Sequence, residues 1–427
     1  MTPPDPAPRL GPRPLSLHLA AALAVWPGSK PALALSRSGS LPWRPELAER
    51  AEQLRPLLAT ADPAGLASAV DREARRRLDR FLTGVARYRG HVYRRAMPPV
   101  PAIWAEGDAR LLDFGSLGAG GDGGLPLLLV PSLINRGYIL DLAPGRSFAR
   151  WLAARGVRPL LLDWGRPGPR ERRFTLDDYV SGCLARALQA AVAAAGGPVV
   201  VAGYCMGGLL ATALAGLHPE QIAGLLLMAT PWDFHAEDAG AARRAAAALP
   251  LAEPLLAALD EMPTDVLQTL FAMLDPALAL RKFVRFAALD PDGDEAHAFV
   301  ALEDWLNDGV PLAAPVAREC LGGWYGRNEP ARGEWRVGGR PVRPEALRLP
   351  VLALVPARDR IVPPASARAL AEAIPGAELL APPLGHIGMM ASASAGTLAW
   401  EPILAWLGGI GASRQTALRG TGKGIPG

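Results

Sequence analysis

The sequence predicts a three-layer α/β domain, a mostly parallel sheet sandwiched by helices, with an N-terminal helical extension and an inserted helical cap. Three observations lead there. The apolar runs "LPLLLV" at 125–130, "RPLLLD" at 158–163, "PVVVAG" at 198–203, "AGLLLMA" at 223–229 and "PVLALV" at 350–355 are continuous rather than alternating, as in strands buried on both faces. Helical patterns such as "SFARWLAARG", "LDDYVSGCLARALQAAVAAA" and "GLLATALAGL" lie between them and give a β-α-β rhythm. One interruption, from Pro231 to Leu349, is too long for a simple crossover, and its own helical patterns predict a cap over the carboxyl edge of the sheet.

The elements follow in chain order. The opening "MTPPDPAPRLGPRP" is proline-rich and predicted to be disordered. "LSLHLAAALAVW" at 15–26 has a faint look of a signal peptide, but it is shorter than the roughly 20 apolar residues that span a bilayer. The preferred reading is an amphipathic helix that sets Leu15, Leu17, Leu19, Leu23 and Trp26 against the protein or another apolar surface. From Pro45 to Arg87, Leu54, Leu57, Leu58, Leu66, Val70, Leu78, Phe81 and Leu82 recur largely at helical steps. "RLLDF" and "LPLLLV" flank the glycine-rich "GSLGAGGDGG" and read as two strands joined by a turn. The division expected is therefore a tail and helical extension over 1–88, a catalytic domain over 89–407 with its cap at about 235–318, and a flexible tail over 408–427.

Composition narrows the function. The 427 residues are 50% hydrophobic and 20% charged, and the 45 basic and 41 acidic side chains are mostly interspersed for a net charge of +4, so no basic stripe points to nucleic acid. Three cysteines, Cys183, Cys205 and Cys320, make neither a disulfide framework nor a zinc-ligand spacing. A reducing, cytoplasmic compartment is the simpler reading, and no metal or cofactor is implied.

"Gly203-Tyr204-Cys205-Met206-Gly207" follows a buried strand and precedes a helix, the context of a nucleophile elbow. The glycines let neighbouring chains pass closely and let the apex adopt a strained conformation. The helix N-terminus directs its amides and positive dipole end at the sulfur, which favours thiolate. An isolated pattern of this kind also surrounds inert buried cysteines, so partners decide. The expected chain order is nucleophile, acid, histidine. "PVLALVPARDRIVPP" puts Asp359 just past a strand, and "APPLGHIGMM" puts His386 in a glycine-flanked loop after the next one. His18, His91, His218, His235 and His297 read as surface or packing histidines, and Cys183 and Cys320 as buried thiols. Cys205, His386 and Asp359 form a Cys-His-Asp constellation. One oxyanion donor should be the backbone amide of Met206 and the other that of Leu133 or Ile134 in "PSLIN".

Several motifs in consistent order, "VPSLINRGYILDLAPGRSFARWLAARGVRPLLLDWG", "FTLDDYV", "GYCMGG", "LHPEQIAGLLLMATPWDFH", "ALEDWLNDGVPL", "VPARDRIVPPASARAL" and "GHIGMM", span about residues 90–407. Together they resemble the catalytic subunit of polyhydroxyalkanoate synthases, most closely the short class (class III) that works with a second subunit. The resemblance implies an α/β-hydrolase fold and an acyltransferase that takes (R)-3-hydroxyacyl-CoA, carries the growing polyester on Cys205 and releases CoA. Asp359 and His386 fall on the family's aspartate and histidine. It also implies a polyester granule surface, an accessory synthase subunit and a homodimer as partners. The chain departs from the short class in its longer extension before residue 90 and in the segment His235 to Phe299. A depolymerase or acyl-CoA thioesterase using the same triad is the alternative reading.

Overall fold

A computed structural model describes residues 8–43, 45–118 and 121–421. The first part of the proline-rich opening, two residues of the glycine-rich turn and the end of the C-terminal tail lie outside the described residues. The chain divides into two compact units, residues 95–267 with 308–427, and residues 1–94 with 268–307.

The first unit is built on eight strands: β1 (Ala102–Glu106), β2 (Ala109–Asp113), β3 (Leu125–Val130), β4 (Val157–Asp163), β5 (Val199–Tyr204), β6 (Ile222–Met228), β7 (Val351–Leu354) and β8 (Glu378–Leu380). Their order across the sheet is β1-β2-β4-β3-β5-β6-β7-β8. The first two pairings, β1 with β2 and β2 with β4, are antiparallel and the others parallel. The five continuous apolar runs are the central strands, and β5 is buried along its whole length. Helices Ala185–Ala195 and Met206–Leu217 supply Leu188, Leu209, Leu210 and Leu214 to the core around the sheet. Each such leucine contributes about 1.5–3 kcal/mol on burial.

One expectation about this unit holds and one is corrected. The runs on either side of the glycine-rich turn are the strands β2 and β3, as expected, and they are not neighbours in the sheet, because β4 lies between them and bonds to both. A parallel neighbour with long apolar side chains on both faces is the better partner for β3 in the middle of the sheet. The segment after residue 407 is not a loose tail throughout, since helix Glu401–Thr421 continues through it. Ile403, Leu407 and Ile410 bury one side of that helix, and a Cβ at Gly224 would meet Ile410.

The second unit corrects the boundaries of extension and cap. Helices Leu15–Val25, Ser29–Ser38, Pro45–Thr60 and Pro63–Gly90 belong together with Leu278–Phe286 and Asp294–Asn307 from the middle of the chain. They share one core, in which Trp26, Phe81, Val85 and Tyr88 meet Leu280, Phe283, Phe286 and Val300. The physical reason is complementarity of two apolar stripes that neither segment could bury alone. Gly84 permits the crossing, because a Cβ there would collide with the Phe283 carbonyl. The expected cap at 235–318 thus splits, its middle joining the N-terminal helices. Leu15–Val25 is helical as expected and buries Ala22 and His18, leaving Leu23 and Val25 exposed. Within the proline-rich opening, Arg9 is pinned by Asp304 at 2.6 Å and by the carbonyls of His91 and Tyr93 at 2.6 Å. Among the described residues no helix is long and apolar enough to cross a membrane.

Candidate active site

β5 delivers the chain to Cys205, which takes φ 55° and ψ −125° before helix Met206–Leu217 begins. A non-glycine residue there stores strain of order 1–3 kcal/mol. Two backbone bonds hold it, Cys205 N–H to the Met228 carbonyl at 2.8 Å and Gly208 N–H to the Cys205 carbonyl at 2.9 Å. The glycines have the steric roles their spacing predicts. A Cβ at Gly203 would strike Gly208, and one at Gly207 would strike the carbonyls of Val130 and Pro131. At Gly208, outside the expected pattern, it would strike the Thr230 side chain.

Asp359 follows β7 and is buried. Its Oδ1 accepts from the amides of Ile361 at 2.8 Å and Val362 at 2.9 Å, which turns Oδ2 to His386 Nδ1 at 2.7 Å. Cys205 acts on the same imidazole, its sulfur favouring the charged ring. The three residues expected from the sequence therefore meet, although 154 positions separate Cys205 from Asp359. Burial works against a charge on His386. The Cys205 sulfur and the Asp359 bond outweigh it, and the imidazole is raised from 6.5 to about 10. Tyr204 packs on the imidazole with ring centroids 5.2 Å apart, and its hydroxyl donates to the His386 carbonyl at 3.4 Å.

The loop after β3 carries the remaining expected residues. Met206 opens the elbow helix and is buried, as is Leu133. The Ile134 amide donates to Ser132 Oγ at 3.1 Å, and the Ile134 carbonyl accepts from Val310 N–H at 3.1 Å. The loop is fixed further by a bridge between Asn135 and Gly309.

The other cysteines and histidines stand elsewhere. Burial pushes the Cys183 thiol up to about 12, and burial with Glu319 pushes Cys320 well above its ordinary value, so both stay protonated. His18 approaches the Arg13 carbonyl at 3.3 Å, His91 bonds to that of Pro291 at 2.9 Å, and His235 to that of Tyr325 at 2.9 Å. His297 packs edge-on to His91 at 5.6 Å. His218 caps the end of the elbow helix.

One site residue was missed. Tyr325 lies on the π-helical stretch Glu319–Arg327, packs on Phe234 at 4.9 Å and feels the charge of Cys205. Burial, then Cys205 and Cys320, push its phenol up, so it remains protonated. Its only sequence signal is an aromatic in "GGWYGRN", which marks no position in space until the segment packs against Phe234.

The strand order, the strained elbow and the ordered acid and histidine define a class, the α/β-hydrolase fold, and the model of that family matches residues 126–393. The chain belongs to it. Within that class it is 30% identical over 314 residues to poly(3-hydroxyalkanoate) polymerase subunit PhaC of Haloferax mediterranei, covering 72% of this chain and 63% of that one. It is 32% identical over 290 residues to the same subunit of Allochromatium vinosum, covering 66% of this chain and 80% of that one. The match thus spans under two thirds of the Haloferax protein and four fifths of the Allochromatium one. The chain is a member of this polymerase family, a family of acyltransferases. Among solved structures, an esterase from Thermogutta terrifontis is similar at 20% identity with a TM-score of 0.39, covering 73% of this chain and 97% of that one.

Proposed function

We propose that the chain polymerises (R)-3-hydroxyacyl-CoA into polyhydroxyalkanoate, releasing CoA and carrying the acyl chain as a thioester on Cys205. The observation that carries this reading is Cys205 at the strained apex, acting on a buried histidine that is held by a buried aspartate at 2.7 Å, in a member of the polymerase family. The Cys205 sulfur attacks the thioester carbonyl and forms a new C–S bond. The C–S bond to CoA breaks, and the departing sulfur takes the proton from His386. Acylation removes the influence of the Cys205 sulfur that raises His386, so the imidazole falls towards its ordinary value and, having given up its proton, is neutral and free to accept one in the next step. It then accepts the proton of a 3-hydroxyl as that oxygen attacks the acyl thioester. Asp359 keeps Nδ1 protonated and the ring oriented, or takes the hydroxyl proton itself.

Met206 N–H is the first oxyanion donor. Leu133 is assigned as the second, because the Ile134 amide is already engaged by Ser132. Sulfur suits the apex because one thioester forms from another with little change in free energy, and a hydroxyl then attacks it. Docking on a polyester granule, an accessory subunit and a homodimer belong to the same proposal, with the exposed Leu23 and Val25 as a candidate granule contact. The test is incubation of purified protein with (R)-3-hydroxybutyryl-CoA. CoA release with insoluble polymer supports the proposal. CoA release with free acid turns it into a hydrolase, and no release removes catalysis.

A further inference from the structure

Next along the chain from Tyr325, at Gly326–Asn328, lies a cavity of about 350 Å³ whose lining includes Arg243, Arg327, Arg332, Glu334, His235 and Asn328. Three guanidinium groups face one carboxylate there, so the lining carries an excess of positive charge. Arg327 is paired with Glu329 at 2.7 Å and Arg332 with Glu334 at 2.7 Å. Each guanidinium has five N–H groups, so a single carboxylate leaves donors over.

The walls are fixed from the catalytic side. Asn328, at φ 56°, accepts from Phe234 N–H at 2.9 Å and donates to Asp233 at 2.8 Å. His235 bonds to the carbonyl of Tyr325, whose phenol is coupled electrostatically to Cys205. Helix Ala239–Ala246 lies on the π-helical stretch with Ala246 against Gly326, and Arg243 sits one turn earlier on the same helix face.

We infer that this cavity is a phosphate-binding subsite that takes the nucleotide end of the acyl-thioester donor through Arg243, Arg327 and Arg332. The inference rests on the CoA-thioester reading above and adds where that substrate is gripped. Planar guanidinium groups match phosphate oxygens bidentately, and a cavity of this size suits a phosphorylated nucleoside. The acyl and pantetheine parts need no such charge.

The experiment compares wild type with the double variant Arg243→Ala/Arg332→Ala on two donors, (R)-3-hydroxybutyryl-CoA and the corresponding pantetheine thioester, which lacks every phosphate. The expected result is a KM raised about tenfold for the CoA donor, with kcat kept and the pantetheine donor unaffected. An equal change with both donors, or none with the CoA donor, overturns the inference. Calorimetry with adenosine 3′,5′-bisphosphate reads the site without turnover. Binding by wild type that weakens in the variant supports it, and absence of binding, or equal displacement by inorganic phosphate, overturns it. Should wild type turn over neither donor, the polymerase reading fails while the bisphosphate titration still decides the subsite.

Discussion

His386 with Asp359 in one unit, and Lys282 with Glu303 in the other, each set a cation against a buried carboxylate, at 2.7 and 2.6 Å. They differ in what completes them. Asp359 has two backbone amides on its second oxygen, so its negative charge is solvated by the fold, and His386 is in turn influenced by Cys205. Burial raises Glu303 above its ordinary value, and Lys282 only partly offsets it. A buried pair becomes a reactive site when a third, nucleophilic atom is held in reach by strained backbone. Without that atom it fixes packing, as Lys282 and Glu303 do beside the Arg9, Asp304 and Tyr88 cluster.

The largest effects should separate the two pairs outright. Cys205→Ala is expected to lower CoA release by at least about 10⁴-fold, whereas Cys183→Ala and Cys320→Ala leave it nearly intact. His386→Gln should slow both alkylation of Cys205 and its acylation. Asp359→Asn sharpens the division of labour: a single acylation of Cys205 without elongation, read by mass spectrometry of the intact chain, would make Asp359 the base for the hydroxyl. Equal loss of both steps would leave it a positioning residue for His386. Near-wild-type turnover in Cys205→Ala breaks the distinction between the pairs.

In the helical unit the expected effects are on folding. Lys282→Met leaves Glu303 buried without its partner and should cost about 3 kcal/mol, read as a lower midpoint in urea. Glu303→Gln should cost less, because a carboxyl whose value is raised by folding is stabilising below pH 4.5 and loses that advantage as pH rises. At neutral pH the charged form is therefore the unfavourable one. Equal losses in the two variants would mean that the ion pair itself carries the stability.

The same contrast explains what the sequence disclosed. Cys205, Asp359 and His386 were legible because the first two follow strands buried along their whole length and the third lies in a glycine-flanked loop after the next strand, and strand ends in a parallel sheet converge on one edge. The glycines at 203 and 207 added a local steric reason. Tyr325 was not legible, since its place depends on the packing of a π-helical stretch against Phe234, far away in sequence. Nor was the union of helix Pro63–Gly90 with Leu278–Phe286, because both stripes read simply as amphipathic and only Gly84 against Phe283 names the partner. The β2 and β3 runs were legible as strands, while their separation by β4 was not, because sheet order depends on partners distant in sequence.

The smallest effect concerns pH and isolates what Cys205 adds to the catalytic pair. His386 is raised from 6.5 to about 10, against the effect of burial, by the Cys205 sulfur and by Asp359. A base raised by folding contributes stability that is fully present below its unfolded value and is lost as pH climbs through the folded one. For His386 that window runs from about pH 6.5 to about pH 10. Removing the sulfur removes one cause of the shift, so in Cys205→Ala the imidazole should titrate below its wild-type value, and the window should close earlier. The measurement is a titration of the His386 ring by NMR in both proteins, paired with thermal midpoints across pH 7 to 10.5. The expected outcome is a gap in Tm between wild type and variant that is largest at the low end and shrinks towards pH 10.5. An imidazole that titrates at the same pH in both proteins would show that Asp359 alone sets its charge, and the catalytic pair would then differ from Lys282 and Glu303 only in its neighbours.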